Sequence, residues 1–387
     1  MRQVAIVGAG MIPFGEHFEM GIKEMLPAAV AEALASVDKG LDRAGIEAAW
    51  FGELATTDGF PAGVFADSTG LLDIPVTRVE NQCATGNDAL RNALFAVGGG
   101  YYDVVLVAGA DKTRETAPGN TFWSWMGMAR DMAWDYPLGL IAPASFGLHV
   151  ARYMHETGTT REHLALVAVK NHANAVANPK AHLRFPVTVE QVLAAPLVAE
   201  PFGVLDCCPQ SDGAAALVLA AGELAGRYTD RPVWVRGVGL GLDRVMHQNK
   251  ADLSRFAATG KAAAKAYAMA GIGPADVDVA EVHDCFTGVE LMDYEDLGFC
   301  GRGEAKQLVE SGATGLRGRL PVNPSGGLKA KGHPPGATGV AQCVELFEQL
   351  RGEAANQVGG AHWGLAHNVG GPTAVSAVTI LEGSRRG

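Results

Sequence analysis

Four stretches of this chain set nucleophiles, bases and close-approach glycines side by side. The first is VENQCATGNDALRNAL, residues 79–94. A strand ending near Asn81, a turn at Cys83 and a helix opening at Gly86 put a thiol at a helix N-terminus. The positive end of the helix dipole there lowers a thiol's pKa, and the sharp turn presents the sulfur as a nucleophile. The competing reading is a small buried cysteine packed as a hydrophobe. The second stretch is EVHDCFTGVELMDYEDLG, residues 281–298. His283 and Cys285 are two apart, so on a strand they point to one side and bring imidazole and thiol together. A zinc site would need further ligands at compatible spacing. Cys300 stands alone and no C-x-x-C occurs, so no metal is expected. The third stretch, residues 320–353, surrounds His333 with glycines, while Pro334 pins the backbone after it. The fourth, GLAHNVGGPTAVSAVTIL, sets a glycine turn ahead of a closing strand, and its backbone N–H groups suit an anion hole. His367 in that stretch reads as positional, and Cys207–Cys208 reads as structural.

The elements that must hold these residues follow from apolar patterning. Runs at 4–7, 104–108, 214–220, 233–238 and 374–381 read as strands, several apolar on both faces, and 24–36, 87–98, 261–270 and 339–351 read as helices. This alternation implies α/β layers. Residues 28–54 and 262–286 share one plan, an Ala-rich helix, an A-G-I turn and a strand, so the chain reads as a duplicated domain. The extra length of the first half falls between about 114 and 205. GAG at Gly8–Gly10 is a poor dinucleotide fingerprint, because Pro13 occupies the third-glycine position.

The 387 residues carry a net charge of −11, which argues against a nucleic-acid surface, and no run approaches the ~18 apolar residues of a membrane span. Six dispersed cysteines make no disulfide framework, and a reduced, cytoplasmic protein is expected. The 50 glycines, about 13% against a usual ~7%, must serve tight turns and close backbone approaches. Residues 150–189 are locally basic, net +3 from Arg152, Arg161, Lys170, Lys180 and Arg184 against two acids. They offer either a seat for a phosphate-rich small ligand or an ordinary solvated helix face.

NQCATG, HDCF, NPSGG, KGHPPGATG and AQCVELFEQLRGE, in this order, resemble the thiolase superfamily and within it the sterol-carrier-protein-type thiolases. No sterol carrier domain is expected after residue 387. The resemblance implies two βαβαβαββ halves in a five-layered αβαβα body: 1–113 and 206–230 as the first half, 114–205 as an inserted loop domain, and 231–387 as the second half. It implies acyl transfer between coenzyme A and a carbon nucleophile, by thiolysis of a 3-ketoacyl-CoA or condensation of acyl-CoAs. Cys83 would carry the acyl group and His333 would activate it. HDCF and HNVGG stand where classical thiolases carry N-E-A-F and C-x-G, so Cys285 takes the acid/base role and His283 the place of the asparagine. Enolate oxygen would be held by His283 and His333, and the acyl-enzyme oxyanion by the N–H groups of Cys83 and of the turn at Asn368, Gly370 and Gly371. Contacts to coenzyme A are assigned to the five basic residues above and to Ser325 and Gly326.

No metal or redox cofactor is required, since the coenzyme A thioester is the substrate. A homodimer or homotetramer, with a small OB-fold partner in some relatives, is the expected assembly. The alternatives are a thiolase-like aldolase acting on a 3-hydroxyacyl-CoA, whose relatives typically lack the nucleophilic cysteine, and a non-catalytic acyl-CoA-binding subunit. Trp123, Trp125, Met126 and Met128 are read as acyl-tunnel, core or dimer-contact residues.

Overall fold

The computed structural model describes residues 1–54, 60–114 and 133–383. In chain order these form β1 (Val4–Met11), α1 (Ile22–Ala35), β2 (Ala48–Gly52), α2 (Pro61–Thr69), β3 (Val76–Val79), α3 (Thr85–Gly98) and β4 (Val104–Asp111). There follow α4 (Ala142–Thr157), α5 (Arg161–Ala177), α6 (Val189–Ala194), β5 (Leu197–Ala199), β6 (Phe202–Gly203), β7 (Gly213–Ala221) and α7 (Gly222–Tyr228). The second half holds β8 (Val233–Leu242), α8 (Ala257–Ala270), β9 (Val279–Glu281), α9 (Thr287–Asp296), α10 (Ala305–Glu310), α11 (Gly327–Lys331), α12 (Pro335–Arg351), β10 (Trp363–Gly370) and β11 (Val375–Glu382). Each strand and helix expected from the apolar runs is present, most of them extended by a few residues at one end or both. Trp123, Trp125, Met126 and Met128 lie outside the described residues.

The strands run in the order β3-β2-β4-β7-β1-β8-β11-β10-β9. Only two residue pairs, Ala5–Trp234 and Ile6–Val233, join β1 to β8, so the run is two half-sheets meeting at one edge. The halves repeat one topology. β2 lies parallel to β4, and β9 lies parallel to β10. β4–β7–β1 and β10–β11–β8 are both antiparallel. A parallel bridge from Ala280 to Val322 stands where β3 stands in the first half.

Three cores separate the layers. α1 packs on the outer face of the first half-sheet through Met25, Ala29 and Ala33 against Val7, Leu106 and Val218. α3 and α12 lie between the two half-sheets, with Leu90, Leu94, Val340 and Val344 buried among Ile6, Val107, Leu217 and Ala366. α8 and α9 cover the outer face of the second half-sheet, joined by α4 and α5. β1, β4 and β7 are buried along their whole length, as strands between helix layers must be.

Part of the glycine excess makes these layers possible. A Cβ on Gly239 of β8 would lie 1.9 Å from the Ala262 carbonyl oxygen of α8, and one on Gly241 would lie 2.0 Å from that of Ala258. The alanine-rich helix therefore sits directly on the strand backbone.

Candidate active site

Cys83 occupies a tight elbow between β3 and α3. Gln82 is held at φ 53°, a left-handed conformation that costs a non-glycine residue of order 1 kcal/mol or more. Thr85 closes the elbow: its hydroxyl donates to the Gln82 carbonyl at 2.5 Å and accepts from the Asn81 N–H at 2.9 Å. A Cβ on Gly86 would stand 2.7 Å from the Val340 nitrogen, so the N-terminal turns of α3 and α12 meet here. His333 enters from the other half, two residues before α12. The duplication thus points the ends of its two central helices at one spot.

The elbow does not lower the thiol's pKa, contrary to the expectation from the helix dipole. Burial pushes Cys83 up to about 12, and the negative charges of Asp111 and Glu80 add to the rise. Hydrogen bonds to the sulfur from the N–H groups of Gly371 and of Cys83 itself act the other way without reversing it. Burial likewise brings His333 down to about 3. The resting pair is neutral thiol and neutral imidazole.

Both histidines have one tautomer selected by their neighbours. The Thr338 hydroxyl donates to the Pro334 carbonyl at 2.8 Å and therefore accepts from His333 Nδ1–H at 2.7 Å. Nε2 of His333 is left with a free lone pair. The Asn368 amide donates to Gln342 Oε1 at 2.9 Å and faces His283 Nδ1 at 3.4 Å. Nδ1 of His283 is then the acceptor, and Nε2 carries a proton with no hydrogen-bond partner among the described residues although it is buried. His283, driven well below its usual range by burial and by His333 and His367, stays neutral. The rings of His283 and His333 meet edge to face at 5.1 Å. A ring nitrogen from each and the Cys83 sulfur all lie within 4.8 Å of one another.

Residues 282–286 are not strand, so the same-side argument for His283 and Cys285 is corrected. β9 ends at Glu281, and the loop is held instead by its neighbours. Val282 N–H donates to Asn323 Oδ1 at 2.8 Å, Cys208 N–H to the Cys285 carbonyl at 2.9 Å, and Cys207 bridges Phe286. Asp284 ties this loop to the one bearing His333: its carboxylate accepts from Leu328 N–H at 2.6 Å, Lys329 N–H at 3.1 Å and Asn171 Nδ2 at 2.6 Å. Burial and the Glu290 charge push Asp284 up to about 8. The Cys285 thiol is raised well above its ordinary value by burial, with Cys208, Cys83, Asp293 and Asp284 contributing.

Cys83, Cys285 and His333 line a cavity of about 540 Å³ whose other walls include Ile141, Phe146, Phe185, Val204 and Phe286. Cys207 and Cys208, read from sequence as structural, also line it. Gly371 lines it too, at φ 60° just after β10. A Cβ on Gly370 would crowd the Cys83 nitrogen at 2.9 Å. Asn368 is a strand residue opposite Ala377, not a turn residue, and its side chain is occupied in orienting His283.

The residues expected to meet coenzyme A are dispersed. Arg152 pairs with Glu156 at 2.7 Å and Arg161 with Asp206 at 3.2 Å, while Lys180 pairs with Glu32. Lys170 is committed inside the fold, to Glu290 at 2.6 Å and the Val322 carbonyl at 2.8 Å. Ser325 is also buried, its hydroxyl donating to Glu281 at 2.6 Å, and Gly326 lies against Ala175. These placements give Lys170 and Ser325 internal roles instead of phosphate contacts. Arg184 is exposed and pairs with no acid among the described residues. Sequence reading missed Thr338, the Asn368 side chain, Asp284 and Lys329. Only the K-A-K pair beside His333 signalled any of them.

Known proteins resemble this chain over most of its length. The family model described as "Thiolase, N-terminal domain" matches residues 4–223, and "Thiolase C-terminal domain-like" matches residues 239–383. An acetyl-CoA acetyltransferase of Methanothermobacter thermautotrophicus is 41% identical, over 99% of this chain and 100% of its own length. Human sterol carrier protein 2 is 35% identical over 96% of this chain and 70% of its own. The solved Ltp2-ChsH2(DUF35) aldolase superposes with a TM-score of 0.86 at 28% identity, covering 99% of this chain and 98% of that one. Among the described residues no helix is long and apolar enough to cross a membrane.

Proposed function

The chain belongs to the thiolase family and is an acyltransferase, and from that premise we propose that it moves acyl groups between coenzyme A and carbon through a thioester on Cys83. The observation that carries the reading is the unpartnered Nε2–H of His283 beside Cys83 and a His333 whose Nε2 lone pair is free. A buried donor without an acceptor costs about 1–3 kcal/mol. A thioester oxygen seated there would satisfy it.

In the first half-reaction His333 Nε2 takes the Cys83 proton as the sulfur attacks the acyl-CoA carbonyl carbon. The new S–C bond places charge on oxygen, which the N–H groups of Cys83 and Gly371 receive. Collapse breaks the bond to the coenzyme A sulfur, and that thiolate leaves with the proton held by His333. Because the resting thiol is neutral, charge is created only when an electrophile is present. In the second half-reaction the neutral Cys285 thiol passes its proton to the vacated Nε2 of His333, which lines the same cavity, and as a thiolate removes an α-proton from a second acyl-CoA. His283 and the now doubly protonated His333 donate Nε2–H to the enolate oxygen, and the enolate carbon attacks the acyl group on Cys83, whose sulfur leaves and takes back a proton from His333 Nε2. Thiolysis is the same path reversed.

Incubation with an acyl-CoA should give an acyl adduct on Cys83 by intact mass and peptide mapping. No adduct, or one elsewhere, would sink the reading. Cys285→Ala should still acylate yet fail to exchange the substrate α-proton with solvent deuterium.

The likeness to a solved aldolase supports a second reading, carbon–carbon cleavage of a 3-hydroxyacyl-CoA. That reaction needs no acylated nucleophile, whereas here an elbow and an oriented base serve Cys83. Cleavage that survives Cys83→Ala and needs no free coenzyme A would favour it. The same likeness supports a small OB-fold partner that helps hold coenzyme A. We extend the proposal to a homodimer or homotetramer, tested by light scattering and by pull-down with tagged chain.

A further inference from the structure

Among the described residues Lys329 is the one Lys, Arg, Asp or Glu that lines the cavity, and the mechanism leaves it without work. It is wholly buried and lines the cavity together with Cys83, Cys285 and Phe185. Other buried lysines here have a carboxylate within reach: Lys112 has Asp212 at 3.0 Å, Lys250 has Asp243 at 3.0 Å and Lys331 has Glu281 at 3.3 Å. Lys329 has no ion pair among the described residues. Among the described residues its Nζ makes its one hydrogen bond to His172 Nε2, at 3.2 Å, and that ring donates its Nδ1–H to the Phe185 carbonyl at 2.9 Å. The nearby Asp284 carboxylate is already bound by two backbone N–H groups and Asn171.

An ammonium has three donors, and His172 uses one. Burial lowers the Lys329 pKa, and the neighbouring Asp284 and Asp206, neither of them in an ion pair with it, offset this only in part. An apolar cavity with one cation that makes no ion pair is complementary to an apolar chain bearing one anion.

We propose that Lys329 is a specificity-determining residue that receives a carboxylate on the acyl part of the substrate, so that the preferred substrates are acyl-CoA thioesters carrying a second, free carboxylate. This rests on the acyl-transfer reading only in naming a thioester as the ligand. The bound carboxylate would accept from Nζ, supplying the missing counter-ion, while methylenes or a ring fill the apolar walls.

The test separates binding from turnover. On a Cys83→Ala background, calorimetry compares succinyl-, glutaryl- and adipoyl-CoA with butyryl-, valeryl- and hexanoyl-CoA, matched pairwise in chain length. At least one carboxylate thioester should bind tenfold or more tighter than its neutral match. Lys329→Met in the same background should erase that preference and leave the neutral thioesters bound as before or tighter. The proposal is overturned if no pair shows a preference, or if Lys329→Met weakens both members of a pair equally. The six-thioester comparison leaves Lys329 intact, so it decides the matter even if Lys329→Met fails to fold. A carboxylate preference without any Cys83 adduct in the parent protein would count against acyl transfer alone. Adducts without a preference would count against the Lys329 role alone.

Discussion

Removing the Thr338 hydroxyl should disable the base without touching the nucleophile. Thr338→Val keeps the shape of the side chain but takes away the acceptor 2.7 Å from His333 Nδ1. The buried ring then has two choices. It can keep its proton on Nδ1 unpaired, at a cost of about 1–3 kcal/mol, or move it to Nε2, where no lone pair remains for the Cys83 proton. At ~1.4 kcal/mol per factor of ten, the active tautomer becomes roughly 5- to 150-fold rarer. Cys83 acylation should therefore slow by about 30-fold, read as the burst of free coenzyme A released on rapid mixing with an acyl-CoA. The Thr338 bond to the Pro334 carbonyl is lost as well, so stability should fall by about 1 kcal/mol, too little to unfold the chain. Thr338→Ser retains the hydroxyl and should recover most of the rate. If Thr338→Val acylates at the parent rate, or if the serine variant is equally slow, the tautomer argument is wrong.

Three further expectations follow from burial and packing. With the Cys83 thiol near 12 and His333 near 3, alkylation of Cys83 by iodoacetamide should rise about tenfold per pH unit from pH 6 to 9. A plateau in that range would reveal a resting thiolate–imidazolium pair and contradict the neutral state. Buried His367, brought down to about 3, stays uncharged in the fold, so its share of stability is full above pH 6.5 and lost as pH falls toward 3. Parent and His367→Gln should diverge in unfolding free energy by about 1.4 kcal/mol per pH unit between pH 6 and 4.5, and a constant gap would show that His367 titrates normally. Gly239→Ala drives a methyl to 1.9 Å from the Ala262 carbonyl, so denaturant melts should show a loss of about 3 kcal/mol. An unchanged midpoint would mean that α8 and β8 can part freely.

Much of the fold is legible in the residues. The strands Val4–Met11, Val104–Asp111 and Gly213–Ala221 announce themselves because burial on both faces demands unbroken apolar runs. The duplication shows in two Ala-rich helices at matching places, since each must lie flat on a glycine-bearing strand. The residues at the candidate site were legible for a different reason: Cys83, His283, Cys285 and His333 stand in short segments whose residue types have few other uses together. Their orientation was not. Thr338 is five residues from His333, yet Asn368 and His283 are 85 apart, and no local pattern predicts that an amide will fix a distant ring.

The pKa error has the same origin. A helix N-terminus is visible in sequence and argues for a lowered thiol pKa, but desolvation depends on everything packed around the sulfur, and here burial and the Asp111 and Glu80 charges push it up. Local spacing likewise suggested a basic patch at residues 150–189, while the structure pairs Lys170 with Glu290, 120 residues away, and Arg161 with Asp206. The sequence alone indicated α/β layers, the duplicated halves and Cys83 as the candidate nucleophile, because apolar periodicity and short motifs are local properties. Tertiary structure alone decided which ring nitrogen carries a proton, which thiols stay neutral and which buried lysine lacks a counter-ion, because hydrogen-bond partners and solvent exclusion are set by groups that only folding brings together.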